Sequence, residues 1–181
     1  VEPHTPLGRW RERGEAEEAP EERYESEFLE AHQRLTAAGF EHYEVSNYAL
    51  PGRRARHNSA YWTGVPYAGL GPSAHEFDGV VRRWNVGPYA EWVRRLAAGR
   101  DPVEGSETLT EDNRIAERVY LGLRTTDGLE IADAERQHAA RWVQEGWAAI
   151  DGGRLRLTPL GWLRLDALAA DLTARRSPSY T

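Results

Sequence analysis

Two histidines and an aromatic pair lie close together near the middle of the chain. Residues 57–62 read His-Asn-Ser-Ala-Tyr-Trp, and His75 follows His57 by eighteen positions. Histidine is a common ligand of haem iron, and aromatic rings stack on flat ligands. This pattern is typical of a site for a planar aromatic ligand, with His57 as an iron ligand and Tyr61 and Trp62 lying against the ring.

Basic side chains directly precede this run. A porphyrin carries propionates, which guanidinium groups bind through charge-assisted hydrogen bonds. The candidates for that contact are Arg53, Arg54 and Arg56. Asn58 is expected to orient the loop that carries His57. The competing interpretation is purely structural: His57 and Asn58 cap local backbone groups, and the two aromatic residues belong to the core. Residue types alone favour the structural interpretation.

Composition excludes several classes of chemistry. The 181 residues include no cysteine, so within them there is no disulfide, cysteine nucleophile or thiolate-held metal centre. The net charge is −6, yet residues 41–100 carry eight arginines against five acids. No apolar run approaches the roughly 20 residues of a membrane span, and no signal peptide is visible. A cytoplasmic protein is therefore predicted.

Other functional motifs are weak. Residues 69–74 fit a loose glycine-rich dinucleotide pattern, but Pro72 disfavours the helix that must start there. His57, His75 and Glu76 lack a recognised metal-ligand spacing, and no serine lies in a nucleophile elbow. Residues 106–175 hold more acids than arginines, which argues against a nucleic-acid partner. No catalytic residue is assigned.

Hydrophobic periodicity and turn residues predict an α/β protein in two parts. The first part is predicted to contain, in order, a loop over 1–20, a helix from Pro20 to Gly39, a strand over 42–49, the basic loop with His57, short strands over 67–70 and 80–84, and a helix over 88–98. Residues 99–107 are predicted to form a linker. The second part is predicted to contain a helix capped by Thr110, a helix over 132–145, a hairpin over 147–157 and a last helix opened by Thr158-Pro159. This order is winged-helix-like.

Several motifs, in order along the chain, resemble the HemW family of radical SAM haem chaperones, which is related to the HemN coproporphyrinogen III dehydrogenases. Residues 39–52 are similar to the family's stretch around Tyr-Glu-Val-Ser-Asn, and residues 57–62 match its H-N-x-x-Y-W motif. Residues 67–75 resemble the loop that follows. The resemblance implies a fold: residues 1–100 as the C-terminal part of a (β/α) radical SAM barrel, and 107–175 as a HemN-type winged-helix-like domain.

The resemblance also implies a function. It implies haem binding and delivery to haem-accepting target proteins, and it links the H-N-x-x-Y-W motif to haem. A full-length parent is expected to hold a [4Fe-4S] cluster on an upstream cysteine triplet, together with S-adenosyl-L-methionine, and to make at most a peripheral membrane contact. Two alternatives stay open: oxygen-independent coproporphyrinogen III oxidation in porphyrin biosynthesis, which the intact motif disfavours, and a pure interaction module.

Overall fold

The computed structural model describes residues 5–17 and 19–177, which form a mixed α/β structure as predicted. Every sheet within that part of the chain is antiparallel. The elements that precede residue 109 are α1 (Pro6–Glu12), α2 (Glu21–Ala37), β1 (Glu41–Glu44), β2 (Asn47–Ala49), α3 (Arg56–Trp62), β3 (His75–Phe77), β4 (Val81–Asn85), α4 (Tyr89–Ala97) and β5 (Val103–Thr108).

The second half follows the predicted order of helices and hairpin. Its elements are α5 (Glu111–Arg124), β6 (Leu129–Glu130), α6 (Asp133–Gln144), β7 (Ala148–Asp151), β8 (Arg154–Leu157), α7 (Pro159–Trp162) and α8 (Leu165–Arg176). Thr110 caps α5 as predicted, because its hydroxyl accepts a 3.1 Å hydrogen bond from the Asn113 amide. Strand β8 lies between β6 and β7, which gives the arrangement of a winged-helix-like unit.

The hydrophobic core lies in this second half. Val119, Leu123, Leu155 and Leu172 are completely buried between α5, the β6-β8-β7 sheet and α8. Burying such side chains stabilises a fold by roughly 1.5–3 kcal/mol each. Trp162 is also buried, and its indole N–H donates to the Leu123 carbonyl at 3.0 Å. The core therefore fixes the position of α5 relative to α8. Both helices line the groove of the candidate functional site.

Several predicted elements differ from those observed. The loop over 1–20 contains helix α1, which Thr5 caps by accepting a hydrogen bond from the Gly8 amide. The strand over 42–49 is a hairpin, because Glu44 draws the chain into a turn by accepting from the amide of Ser46 at 3.0 Å. The last helix is interrupted between Trp162 and Leu165, so that it forms two helices.

The predicted linker and the first short strand are also different. Residues 103–108 form β5, which pairs along β4 from Val81↔Thr108 to Asn85↔Val103. Strand β5 is largely exposed, so it lacks the apolar alternation that signals a strand. The strand over 67–70 is reduced to a single bridge between Tyr67 and Phe77. The division into two domains at residues 100–107 stays a prediction.

Aromatic rings connect the two halves of the chain around His42. The His42 ring stacks on Tyr48, with centroids 4.0 Å apart, and its edge meets Trp162 at 4.5 Å. His42 Nε2 lies 3.2 Å from the Val45 carbonyl, so this nitrogen carries the proton and donates. His42 Nδ1 then accepts from Nδ1 of His32 at 3.0 Å. This arrangement is that of a neutral His42, which fits the effect of burial, since burial lowers its pKa to about 4.

Acidification is therefore expected to destabilise the fold. The unfolded chain binds a proton at His42 below pH 6.5, whereas the folded chain does so only near pH 4. The contribution of His42 to stability is therefore complete above pH 6.5 and is lost as the pH drops toward 4. The expected loss is about 2–3 kcal/mol. Urea unfolding between pH 7.5 and 4.5 checks it. In His42→Gln the loss over this interval should shrink by a similar amount; an unchanged pH profile would contradict the assignment.

Candidate functional site

The His-Asn-x-x-Tyr-Trp run forms helix α3, which replaces the predicted loop around His57. Residues four apart share one face of a helix. His57 and Tyr61 form one such pair, in which the Tyr61 hydroxyl lies 3.1 Å from His57 Nε2 and the ring planes meet at 88°. Asn58 and Trp62 form the second pair on the adjacent face. The motif therefore has the spacing of two i, i+4 pairs, of which the His57–Tyr61 pair is in contact.

The two aromatic residues of α3 point toward different cavities. Tyr61 lines a large groove, and Trp62 lines a second cavity together with Arg54. His57 and Asn58 are exposed and line neither cavity. The structure thus brings His57 and Tyr61 together at the edge of the groove, and it separates Trp62 from them. Trp62 packs near Tyr43, with ring centroids 5.9 Å apart.

The groove has a volume of about 1180 Å³ and lies between the β3-β4-β5 sheet and helices α5 and α8. Alternate residues of a strand face one side of a sheet, so His75 and Phe77 of β3 and Arg82 and Trp84 of β4 share this wall. Four of the nine residues that the helices provide are alanines. The aromatic residues of the lining are Tyr61, Tyr67, Phe77, Trp84 and Tyr120. Such an apolar, aromatic cavity is suited to a flat ligand of considerable size.

His75 is the histidine that lies inside this groove. Its ring stands opposite Trp84 in the β3–β4 register, with centroids 6.1 Å apart and an interplanar angle of 30°. No sequence signal favoured His75 over His57, because the position of His75 depends on how β3 pairs with β4. The sequence signal for strand β3 was that His75 and Phe77 lie two residues apart, as residues on one face of a strand do. A strand of three residues is too short to be identified by such a pattern.

Acidic groups outnumber basic ones in the groove. Arg82 lies within 2.9 Å of Glu117 and 3.1 Å of Glu107, so both carboxylates share one guanidinium. Asp166 of α8 adds a further carboxylate to the lining. An anionic group placed here meets a net negative wall, whereas an uncharged ring does not. The interior of the groove is therefore suited to the apolar part of a ligand and not to its carboxylates.

The three predicted arginines do not converge on the groove. Arg54 already pairs with Glu41 at 3.1 Å and with Asp127 at 3.4 Å, and its guanidinium lies over the Tyr43 ring. Arg53 and Arg56 are exposed, and among residues 5–17 and 19–177 neither has a carboxylate within ion-pair distance. Their role as propionate contacts stays a prediction that the geometry of the cavities does not favour.

Comparison with known proteins defines the class first. Residues 109–164 match the family described as the HemN C-terminal domain. The fold is similar to that of the *Escherichia coli* coproporphyrinogen III oxidase HemN, a radical SAM enzyme, with a TM-score of 0.55 over 78% of this chain and 39% of that chain. At 18% sequence identity this likeness concerns the fold alone. The chain thus has the α/β fold of the C-terminal region of a HemN-like protein.

Within that class, the most informative curated relatives are haem chaperones. The chain is 40% identical over 178 residues to HemW of *Mycobacterium tuberculosis*, which covers 95% of this chain and 45% of that protein. It is 36% identical over 135 residues to HemW of *Synechocystis*, covering 73% and 32%. The resemblance to HemW found in the sequence motifs is therefore confirmed. The chain spans about half the length or less of the curated relatives it matches.

Two further findings concern a membrane-spanning helix and ligands for an iron–sulfur cluster. Within the described ranges, none of the helices combines the length and apolar character needed to cross a membrane. The chain has no cysteine, so its side chains do not fit the thiolate ligation of a [4Fe-4S] cluster. No catalytic step through such a cluster is derived from these residues.

Proposed function

We propose that this chain contributes to haem binding and delivery, as part of a haem chaperone of the HemW type. The observation that carries the proposal is the aromatic groove beside the His57–Tyr61 pair. The names of the curated relatives support it. The cargo is haem, the recipients are haem-accepting target proteins, and a cytoplasmic location with at most peripheral membrane contact belongs to the same proposal.

The groove's residues suggest how the cargo is held. The tetrapyrrole ring packs between the sheet wall at Phe77 and Trp84 and the helix wall at Tyr120, which removes both of its faces from water. Tyr61 borders the groove and also contacts His57, so it connects the ring to the imidazole. His57 Nε2 must leave the Tyr61 hydroxyl to ligate iron, whereas its Nδ1 makes no hydrogen bond within the described part of the chain.

An exposed ligand is consistent with delivery. His57 lies on a short helix whose first residue, Arg56, follows Ala55, so the helix lacks a side-chain N-cap. Such a helix rearranges at low free-energy cost. An iron ligand on it is open to replacement by a ligand of the target protein. A deeply buried histidine, by contrast, fits retention of the haem and not its transfer.

The enzymatic alternative rests on the fold comparison alone. The likeness to coproporphyrinogen III oxidase is at 18% identity and carries no argument about activity. The described residues provide no cluster ligands, and we assign them no catalytic role. Formation of protoporphyrinogen from coproporphyrinogen III by a reconstituted full-length parent, in the presence of S-adenosyl-L-methionine, is the observation that supports the enzyme instead.

Replacement of His57 tests the proposal. Haemin titration followed in the Soret region is expected to show saturable binding by the wild type. His57→Ala should weaken it by at least about tenfold, because an imidazole ligand is lost. The matched control is His138→Gln on α6, where His138 bonds with Asp171 at 2.6 Å and lines neither cavity.

The outcomes separate the two histidines. Equal affinity of the wild type and His57→Ala contradicts the role of His57. If His75→Ala abolishes the Soret shift while His57→Ala does not, the iron ligand is the histidine inside the groove, and the groove remains the haem site. Failure of the wild type to bind haemin at all contradicts the proposed function itself.

A further inference from the structure

A second cavity of about 790 Å³ adjoins the groove and has the opposite character. The two cavities share four lining residues, Gly64, Phe77, Glu117 and Leu121. The second cavity is bordered by α3, α5 and the segment from Thr125 to Glu130. Its basic residues are Arg54, Arg114, Arg118, Arg154 and Arg176, against the three acids Glu117, Asp127 and Glu130. Basic side chains thus outnumber acidic ones in the lining, although Arg54 already pairs with Glu41 and Asp127, and Arg176 pairs with Glu135.

Three of these guanidinium groups retain unused hydrogen-bonding capacity. Arg118 is exposed and has no ion pair within the described part of the chain. Arg114 has a buried Nε without a hydrogen-bond partner, and only its Nη2 approaches Glu111, at 3.3 Å. Arg154 donates to two backbone carbonyls, at 2.7 and 2.8 Å, which neutralise no charge. A buried donor without a partner is costly, so an anion placed here is stabilised.

We infer that this cavity receives the carboxylates of the bound tetrapyrrole, through Arg118 and Arg114 of α5. The inference rests on the proposed function, since it assumes that the ring lies in the adjoining groove. Haem is apolar over most of its disc and anionic at one edge. The aromatic groove suits the disc, and the arginine-lined second cavity suits the anionic edge. Glu107 and Asp166 line the groove and not the second cavity, and they disfavour carboxylates there. Arginine binds carboxylates in a planar, bidentate manner.

The inference assigns recognition of the carboxylates to the winged-helix-like half and not to Arg53 and Arg56. The overall charge of residues 106–175 did not indicate a carboxylate site, because the acids of that half outnumber its arginines. The relevant quantity is the local balance at the cavity, which depends on how α5 packs against α3 and the Thr125–Glu130 segment.

Haemin and its dimethyl ester, in which both carboxylates are capped, provide the test. The wild type is expected to bind haemin at least about tenfold more tightly than the ester. Arg118→Gln should lower haemin affinity by about fivefold, and the Arg114→Gln/Arg118→Gln double variant by more, while ester affinity stays unchanged. Arg141→Gln, an exposed arginine of α6 that lines neither cavity, is the control for loss of one positive charge.

The outcomes distinguish a carboxylate site from a general effect of charge and from failure of haem binding. If the wild type binds haemin and ester equally, or if the arginine variants weaken both alike, the carboxylate site is refuted while haem binding in the groove stands. If Arg141→Gln lowers haemin affinity as much as Arg118→Gln, the effect is one of overall charge and the inference fails. If neither tetrapyrrole binds the wild type, the proposed function fails together with the inference. Circular dichroism confirms that each variant is folded.

Discussion

Replacing Arg124 with alanine is expected to lower the free energy of unfolding by about 3–5 kcal/mol. The partner of Arg124 is Glu44, whose side chain is completely buried. One Glu44 carboxylate oxygen accepts from the Arg124 guanidinium, and the other accepts from the Ser46 amide. Without Arg124 the carboxylate stays buried with no opposite charge, and desolvation of a charged group is costly.

The pair also lies where the two halves of the chain meet. Val45 N–H donates to the Arg124 carbonyl and Thr126 N–H donates to the Tyr43 carbonyl, both at 3.1 Å. The β1–β2 hairpin is thereby attached to the end of α5. Because α5 lines both cavities, loss of this attachment is expected to disturb the site as well as the stability of the fold.

Urea unfolding of three variants measures this effect. Arg23→Ala removes an exposed ion pair with Glu27 and is expected to leave the free energy of unfolding nearly unchanged, because solvent screens the pair. Adding Glu44→Gln to Arg124→Ala should recover part of the loss, because a neutral amide still accepts from Ser46 and carries no charge. A loss in Arg124→Ala no larger than that in Arg23→Ala contradicts this account of the buried pair.

Local signals in the sequence were sufficient for the longer elements. Gly39 terminates helix α2 as predicted, because its φ of +87° lets the Phe40 amide reach the Leu35 carbonyl at 3.0 Å. The β7–β8 hairpin turns at Gly152 and Gly153, both with positive φ. In each case a turn or capping residue stands at the end of an apolar pattern, so the prediction needed no information from distant parts of the chain.

Elements that depend on distant partners were not predictable in the same way. Helix α3 lacks a capping side chain and any fully buried residue, so nothing in its own seven residues marks it as a helix. Strand β5 exists because it pairs with β4. The groove requires β3, β4, α5 and α8 together, and the sequence carries no direct sign of their assembly. The motif includes Tyr61, which lines the groove, whereas the positions of His75 and Arg118 at the two cavities depend on the packing. The role of each residue in binding stays a prediction.

Filling the groove is expected to have the largest effect on haem binding. Ala170 is an exposed residue of α8 that lines the groove, and Ala167, one turn earlier on the same helix, is exposed but does not line it. A tryptophan at position 170 occupies space that the macrocycle needs without displacing the core. We expect Ala170→Trp to weaken haemin binding by at least about a hundredfold, equivalent to about 2.8 kcal/mol.

Titration of haemin into the wild type, Ala170→Trp and Ala167→Trp, monitored by the Soret band, shows whether the macrocycle lies in the groove. We expect the wild type and Ala167→Trp to bind with the same affinity and Ala170→Trp to show little or no Soret shift. If Ala170→Trp binds haemin as tightly as Ala167→Trp, the macrocycle does not lie between the β3-β4-β5 sheet and α8, and the proposed haem site is wrong.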